Sequence, residues 1–167
     1  MIRPRTRRDG PGLMALLRDF HRASGYALPW PADPDAFLTP PGTLAAWVAE
    51  GGGEVVGSVL LRELAEPLPK WAVTTGLGAS ELAVVSRLYV SPAVRRAGLG
   101  RRLLAAAQAE AGRLGRRAAA DVHAQASASA ALYDAEGWQR VATVGADWQI
   151  GDGERARIHV YLSPLCP

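Results

Sequence analysis

Between Val84 and Leu104 the chain reads VVSRLYVSPAVRRAGLGRRLL, and few folds accept that order of residues. A strand-forming apolar run is stopped at Pro92, which cannot continue a central strand. The turn Arg95-Arg96-Ala97-Gly98-Leu99-Gly100-Arg101 follows, and a helix with Leu99, Leu103, Leu104 and Ala107 on a shared side starts within it. A strand that passes through such a turn into a helix belongs in a layered α/β structure. The turn also carries chemistry. The first amides of a helix lack intrahelical acceptors and sit at the positive end of its dipole. Glycines let an anion approach them, and arginines add charge-assisted contacts. Taken alone, the turn is a diphosphate site or a glycine-rich helix start with no ligand. A P-loop is excluded because Gly100 is followed by Arg101-Arg102 where Lys-Ser/Thr is required. The dinucleotide fingerprint is excluded because no third glycine follows Gly98-Leu99-Gly100.

Around this stretch the pattern predicts a strand over Ile2–Thr6, a helix opened by Asp9 with Leu13, Leu16, Leu17 and Phe20 on one face, and a proline-rich segment from Tyr26 to Pro41. Leu44–Ala49 and Val55–Leu61, separated by Gly51-Gly52-Gly53, predict an antiparallel hairpin. Leu64–Ala79 reads as a loop, Glu81–Val90 as a strand, Gly98–Leu114 as a helix and Ala118–His123 as a strand. Ser127–Glu136 reads as a helix ended by Gly137, and Trp138–Val144 and Arg157–Leu162 as the last strands. The expected fold is α/β, a mixed and largely antiparallel sheet flanked by helices, in a single domain spanning residues 1–167.

Composition narrows the setting. The chain is basic, with a formal net charge of +3, yet its basic residues are almost all arginine and Lys70 is the single lysine. No aromatic-interleaved basic stretch or zinc-finger spacing supports nucleic-acid binding, so the arginines read as surface charge that also suits a polyanionic cosubstrate. The single thiol, Cys166, cannot form an internal disulfide and fits a reducing, cytoplasmic setting. No apolar run approaches the roughly 20 residues of a membrane span, and the N-terminal residues do not read as a secretory signal. No membrane or metal partner is expected, and a homodimer stays open.

Two separated motifs resemble those of the GCN5-related N-acetyltransferase (GNAT) superfamily. The first is Leu88-Tyr89-Val90-Ser91-Pro92 followed by Arg95-x-x-Gly98-x-Gly100; the second is Leu132-Tyr133-Asp134-Ala135-Glu136-Gly137-Trp138. The resemblance implies a GNAT-type acyl-CoA N-acyltransferase fold with acetyl-CoA as cosubstrate and no metal. It implies pantetheine contacts from the backbone of Leu88, Tyr89 and Val90, and a pyrophosphate on the turn of Arg95, Arg96, Ala97, Gly98, Leu99, Gly100 and Arg101. The Val90 amide falls where the family stabilises the oxyanion. Tyr133 falls where the family places a tyrosine beside the thioester sulfur. A tyrosine there can donate a proton to the departing thiolate.

The sequence departs from the family at the general base. Relatives carry a glutamate where Val84 or Ser86 stands, and an asparagine where Ala126 stands. Candidates for proton removal are His123, Glu81 or a water chain. The acceptor is expected to be an amine, shaped by His21, Tyr26, Trp30, Trp47 and Trp71, with Asp33, Asp35 and Glu63 as acidic candidates. The function expected is acetyl transfer to a primary amine of a small molecule by direct attack, since no buried cysteine is available as acyl carrier. Acetylation of a protein N-terminus or lysine, and a non-catalytic acyl-CoA-binding module, remain alternatives.

Overall fold

A computed structural model describes residues 1–23, 30–94, 96–149 and 153–165. In chain order the elements are β1 (Ile2–Pro4), α1 (Gly10–Ala23), α2 (Pro34–Leu38), β2 (Thr43–Gly51), β3 (Glu54–Arg62), α3 (Lys70–Val73), β4 (Leu82–Val90), α4 (Leu99–Arg113), β5 (Arg117–His123), α5 (Ser127–Ala135), β6 (Gln139–Gln149) and β7 (Arg155–Leu162). The fold is the mixed, largely antiparallel α/β arrangement that the pattern predicts. Its chain divides into two units, 1–62 with 85–110 and 63–84 with 111–167.

The first unit orders its strands β1-β2-β3-β4. β2 and β3 pair antiparallel from Thr43↔Arg62 to Gly51↔Glu54 around the predicted glycine turn. The apolar face of α1 buries Leu13, Leu16 and Leu17. Leu13 and Leu17 meet Leu38 and Val48, with Phe37, Val55 and Tyr89 packed against them. Each fully buried leucine is worth about 1.5–3 kcal/mol relative to exposure. The first half of α4 comes close to β3 at Gly57. A methyl group added there would lie 3.0 Å from Leu103 Cδ1, 3.2 Å from Ala49 Cβ and 3.3 Å from the Tyr89 carbonyl oxygen.

Asp9 does not open α1 as predicted. It closes a short 3-10 turn, Arg7–Asp9, and α1 begins at Gly10. The reason is electrostatic. The Asp9 carboxylate accepts from the Arg3 guanidinium at 2.7 and 2.9 Å and from the Thr6 amide at 2.6 Å, so its oxygens are turned back towards β1. Arg3 also reaches Glu50 at the end of β2.

The second unit orders its strands β4-β5-β7-β6. β4 and β5 run parallel, in register from Leu82↔Arg117 to Val84↔Ala119. β7 then pairs antiparallel with both β5 and β6. The core gathers Leu64, Trp71, Ala72, Leu82, Val84, Ala119, Val160 and Leu162. Trp71 enters it because Lys70–Val73 forms a helical turn inside the stretch expected to be all loop. Four residues are too few to show a helical period, so the pattern could not reveal it.

Candidate active site

In the first unit, β4 leads into the glycine turn. The Ser91 amide donates to the Val56 carbonyl at 2.8 Å, fixing the strand's end against β3. Pro92–Val94 makes one 3-10 turn, and Arg96 and Gly98 both take positive φ, at 71° each. The Arg102 amide donates to the Gly98 carbonyl at 3.1 Å, the bond that opens α4. The amides of Leu99 and Gly100 precede that bond, in the first turn, where a helix supplies no acceptor of its own. Arg96, Ala97, Gly98 and Arg101 are exposed, and a Cβ built on Gly98 meets nothing within 4 Å. The turn therefore offers amides, positive charge and open space together, which fits a diphosphate. Arg95 lies outside the described residues.

Leu88, Tyr89 and Val90 are half-buried on β4. The Tyr89 ring packs on Phe20 at 4.5 Å, and burial pushes its hydroxyl pKa up. Just before them, Arg87 has φ of +55° in mid-strand. Its Nε donates to the Phe37 carbonyl at 2.9 Å, and its guanidinium lies 3.7 Å from the Phe37 ring centroid. Arg5 donates to the Leu38 carbonyl and to Thr39 Oγ1, both at 2.6 Å. Two arginines thus take up carbonyl and hydroxyl groups at the C-terminal end of α2. Nothing in the sequence marks Arg87 for this conformation, since positive φ is uncommon for residues other than Gly, Asn, Asp and His.

Val84 and Ser86, the two positions considered for a strand glutamate, are both occupied otherwise. Val84 is wholly buried in the core of the second unit. Ser86, in the first, accepts from Arg62 Nε at 3.0 Å, and a serine hydroxyl facing a guanidinium does not collect protons.

In the second unit, Tyr133 lies on α5 and is 4% exposed. Its ring stacks on Tyr161 at 5.2 Å and meets Trp138 edge-on at 5.0 Å. Burial first, then the nearby Asp121 and Tyr161, push its pKa well above that of an ordinary tyrosine, and no hydrogen bond contributes. Tyr161 is tied in turn. Its hydroxyl donates to Asp134 Oδ1 at 3.0 Å and accepts from Arg140 Nε and Nη2 at 3.2 and 3.0 Å. No local sequence pattern marks this trio, because its members come from α5, β6 and β7.

His123 ends β5, half-buried, and burial holds its pKa below the usual value. Its Nδ1 accepts from the Gln125 amide at 3.2 Å, which places the proton of the neutral ring on Nε2. Glu81 lies in the 3-10 turn Ala79–Glu81 and not in β4, is exposed, and accepts from the Gly78 amide at 2.8 Å.

The expected acceptor-side residues do not form one set. In the first unit His21 and Trp30 meet edge-on at 5.5 Å, and Trp47 is half-buried on β2. Trp71 belongs to the core of the second unit, and Tyr26 lies outside the described residues. Asp33 caps α2 through the Ala36 amide at 3.0 Å, and Glu63 pairs with Arg116 at 3.7 Å. Asp35 is exposed. Among the described residues, no cluster of His, Cys, Asp and Glu is placed to hold a metal ion, and no helix is long and apolar enough to cross a membrane.

What these parts define is a class, the N-acetyltransferases. The family follows from the sequence: residues 11–138 match the model of the acetyltransferase (GNAT) family, and the chain belongs to it. No curated protein matches the chain. Among solved structures it is similar to the ribosomal-protein-alanine N-acetyltransferase of Brucella melitensis, at 25% identity and a TM-score of 0.74 over 99% of each chain. An N-acetyltransferase of Staphylococcus aureus Mu50 shares 19% identity at a TM-score of 0.75, over 97% of this chain and 96% of that one. NAA60 of Arabidopsis thaliana, solved with acetyl-CoA, shares 16% identity at a TM-score of 0.71, again over 97% and 96%. The last two likenesses establish a common fold.

Proposed function

We propose that this chain transfers the acetyl group of acetyl-CoA to the primary amine of a small molecule by direct attack. The observation that carries the reading is the start of α4, where first-turn amides, an exposed Arg96 and an unobstructed Gly98 stand together in a member of this family. In this reading the pyrophosphate rests on the turn from Gly98 to Arg101, with Arg96 beside it. Leu88, Tyr89 and Val90 offer backbone groups to the pantetheine arm, and the Val90 amide serves the oxyanion.

Chemically, the amine lone pair adds to the thioester carbonyl, forming the C–N bond and an oxyanion; the oxyanion's collapse breaks the C–S bond, and the departing thiolate needs a proton. Tyr133 supplies it. Its raised pKa keeps the hydroxyl protonated throughout the neutral range, so it is always a donor. Proton loss from the ammonium is assigned to water. Glu81 is committed to its cap, and His123 can take a proton on Nδ1 only by giving up the Gln125 amide.

The likeness to the Brucella enzyme favours a second acceptor, the N-terminal amine of a protein. Thiol release from acetyl-CoA across amino acids, polyamines, lysine peptides and peptides beginning with alanine separates the readings. Turnover with small amines supports the first reading, and turnover confined to alanyl peptides supports the second. Tight acetyl-CoA binding without turnover on any acceptor would leave a non-catalytic acyl-CoA-binding module.

A further inference from the structure

We infer that Tyr161, held by Asp134 and Arg140, is a positioning residue that fixes the orientation of the Tyr133 hydroxyl. The inference rests on the reading of Tyr133 as proton donor. Three geometric facts carry it. The Tyr161 ring is fully buried and lies nearly parallel to that of Tyr133, 22° apart at 5.2 Å. Its hydroxyl joins Asp134, the residue next to Tyr133 on α5, to Arg140 on β6. Arg140 and Tyr161 are also direct cross-strand partners in the β6/β7 register, so the sheet fixes that side of the knot.

The consequence follows from the Tyr133 ring itself. A phenol moves its hydroxyl by rotating about Cα–Cβ and Cβ–Cγ, and a stacked neighbour restrains both rotations. A hydrogen bond from that neighbour to the adjacent residue of the same helix also restrains the backbone from which the ring swings. A proton donor displaced by a fraction of an ångström loses rate without losing its acidity. Asp134 therefore has a use beyond its match to the family's acidic position. Its carboxylate anchors the helix turn that carries the donor.

The test is a double-mutant cycle on Tyr133→Phe and Tyr161→Phe, with Asp134→Ala and Asp134→Asn, assayed with the acceptor of highest turnover. Tyr161→Phe keeps the stacked ring. It leaves Asp134 and Arg140, 54% and 41% exposed and 3.6 Å apart, free to be solvated, so folding survives. Expected is a fall in kcat of about tenfold for Tyr161→Phe, with KM for acetyl-CoA unchanged. Asp134→Ala should match it, and Asp134→Asn, whose amide oxygen still accepts from Tyr161, should recover most of the loss. In the Tyr133→Phe background, Tyr161→Phe should cost less than about twofold, because the two act as one unit. If Tyr133→Phe itself leaves kcat unchanged, the donor reading fails. If it lowers kcat and Tyr161→Phe is silent, or costs the same in both backgrounds, the positioning role alone is overturned. Carbon-13 labelling at tyrosine Cζ gives a readout that needs no acceptor. The Tyr133 resonance should shift and broaden in Tyr161→Phe and Asp134→Ala, and an unchanged resonance overturns the proposal.

Discussion

Replacing Gly98 with alanine separates the cost of strain from the cost of lost ligand contact. Gly98 has φ of +71°, and an added Cβ meets nothing within 4 Å. The folding penalty is therefore the left-handed backbone alone, about 1–2 kcal/mol for an L-residue. For a chain of this length each kcal/mol lowers the melting temperature by about 2–4 °C, so Gly98→Ala should melt about 2–8 °C early. Gly115 is the matching control. Its φ is +69°, its Cβ is equally unobstructed, and it lies after α4 with no assigned ligand. Gly115→Ala should lose a similar amount of stability. Affinity for CoA should part the two. A methyl group on Gly98 occupies the place assigned to the diphosphate, and losing one charge-assisted hydrogen bond costs about 1.5–3 kcal/mol. That corresponds to a Kd weaker by about 10- to 150-fold, against no change for Gly115→Ala. Calorimetric titration with CoA and thermal melts of both variants supply the numbers. Equal CoA affinity in the two would refute the placement of the diphosphate on this turn.

Three further outcomes are expected. Gly57→Ala should lose about 1–3 kcal/mol in urea denaturation, because its methyl group presses on Leu103, Ala49 and the Tyr89 carbonyl; an unchanged midpoint would mean that α4 yields there. His123→Gln should keep the acidic limb of kcat/KM against pH, and Glu81→Gln should keep the whole profile; loss of that limb in the histidine variant would make His123 the base. Asp9, held by Arg3 well below the ordinary carboxylate range, contributes stability that is present above about pH 4. That contribution is lost as pH falls through the lower folded value. Asp9→Asn should thus lower the melting temperature at pH 7 and flatten its fall in acid, and parallel curves for the two proteins would contradict the pairing.

The parts of the candidate site that were legible in the sequence are those whose signal is local. The strand, turn and helix from Val84 onward are written in hydrophobic spacing and in glycine positions, and α5 was bounded to within one residue by Ser127 and Gly137. What stayed hidden depends on partners far along the chain. Arg62 meets Ser86, Arg87 meets Phe37, and Tyr161 meets Asp134, and no period connects such pairs. Glu81 shows the same limit at short range. An apolar run beginning at Leu82 invites one more strand residue, and only the bond to the Gly78 amide reveals a cap.

The fastening of α2 has a consequence for how this chain can change over generations. Arg87 grips the Phe37 carbonyl and Arg5 grips the Leu38 carbonyl, and every amino acid presents that atom. Side chains along Pro34–Leu38 can therefore be exchanged without loosening either grip; only the stacked ring of Phe37 and the buried Leu38 are bound to their identities. The burden falls on the other side of the bond. Arg87 must keep both its guanidinium and a backbone angle that its side chain disfavours, so a lineage altering what lies over this part of the first unit would vary α2 and hold Arg87 constant.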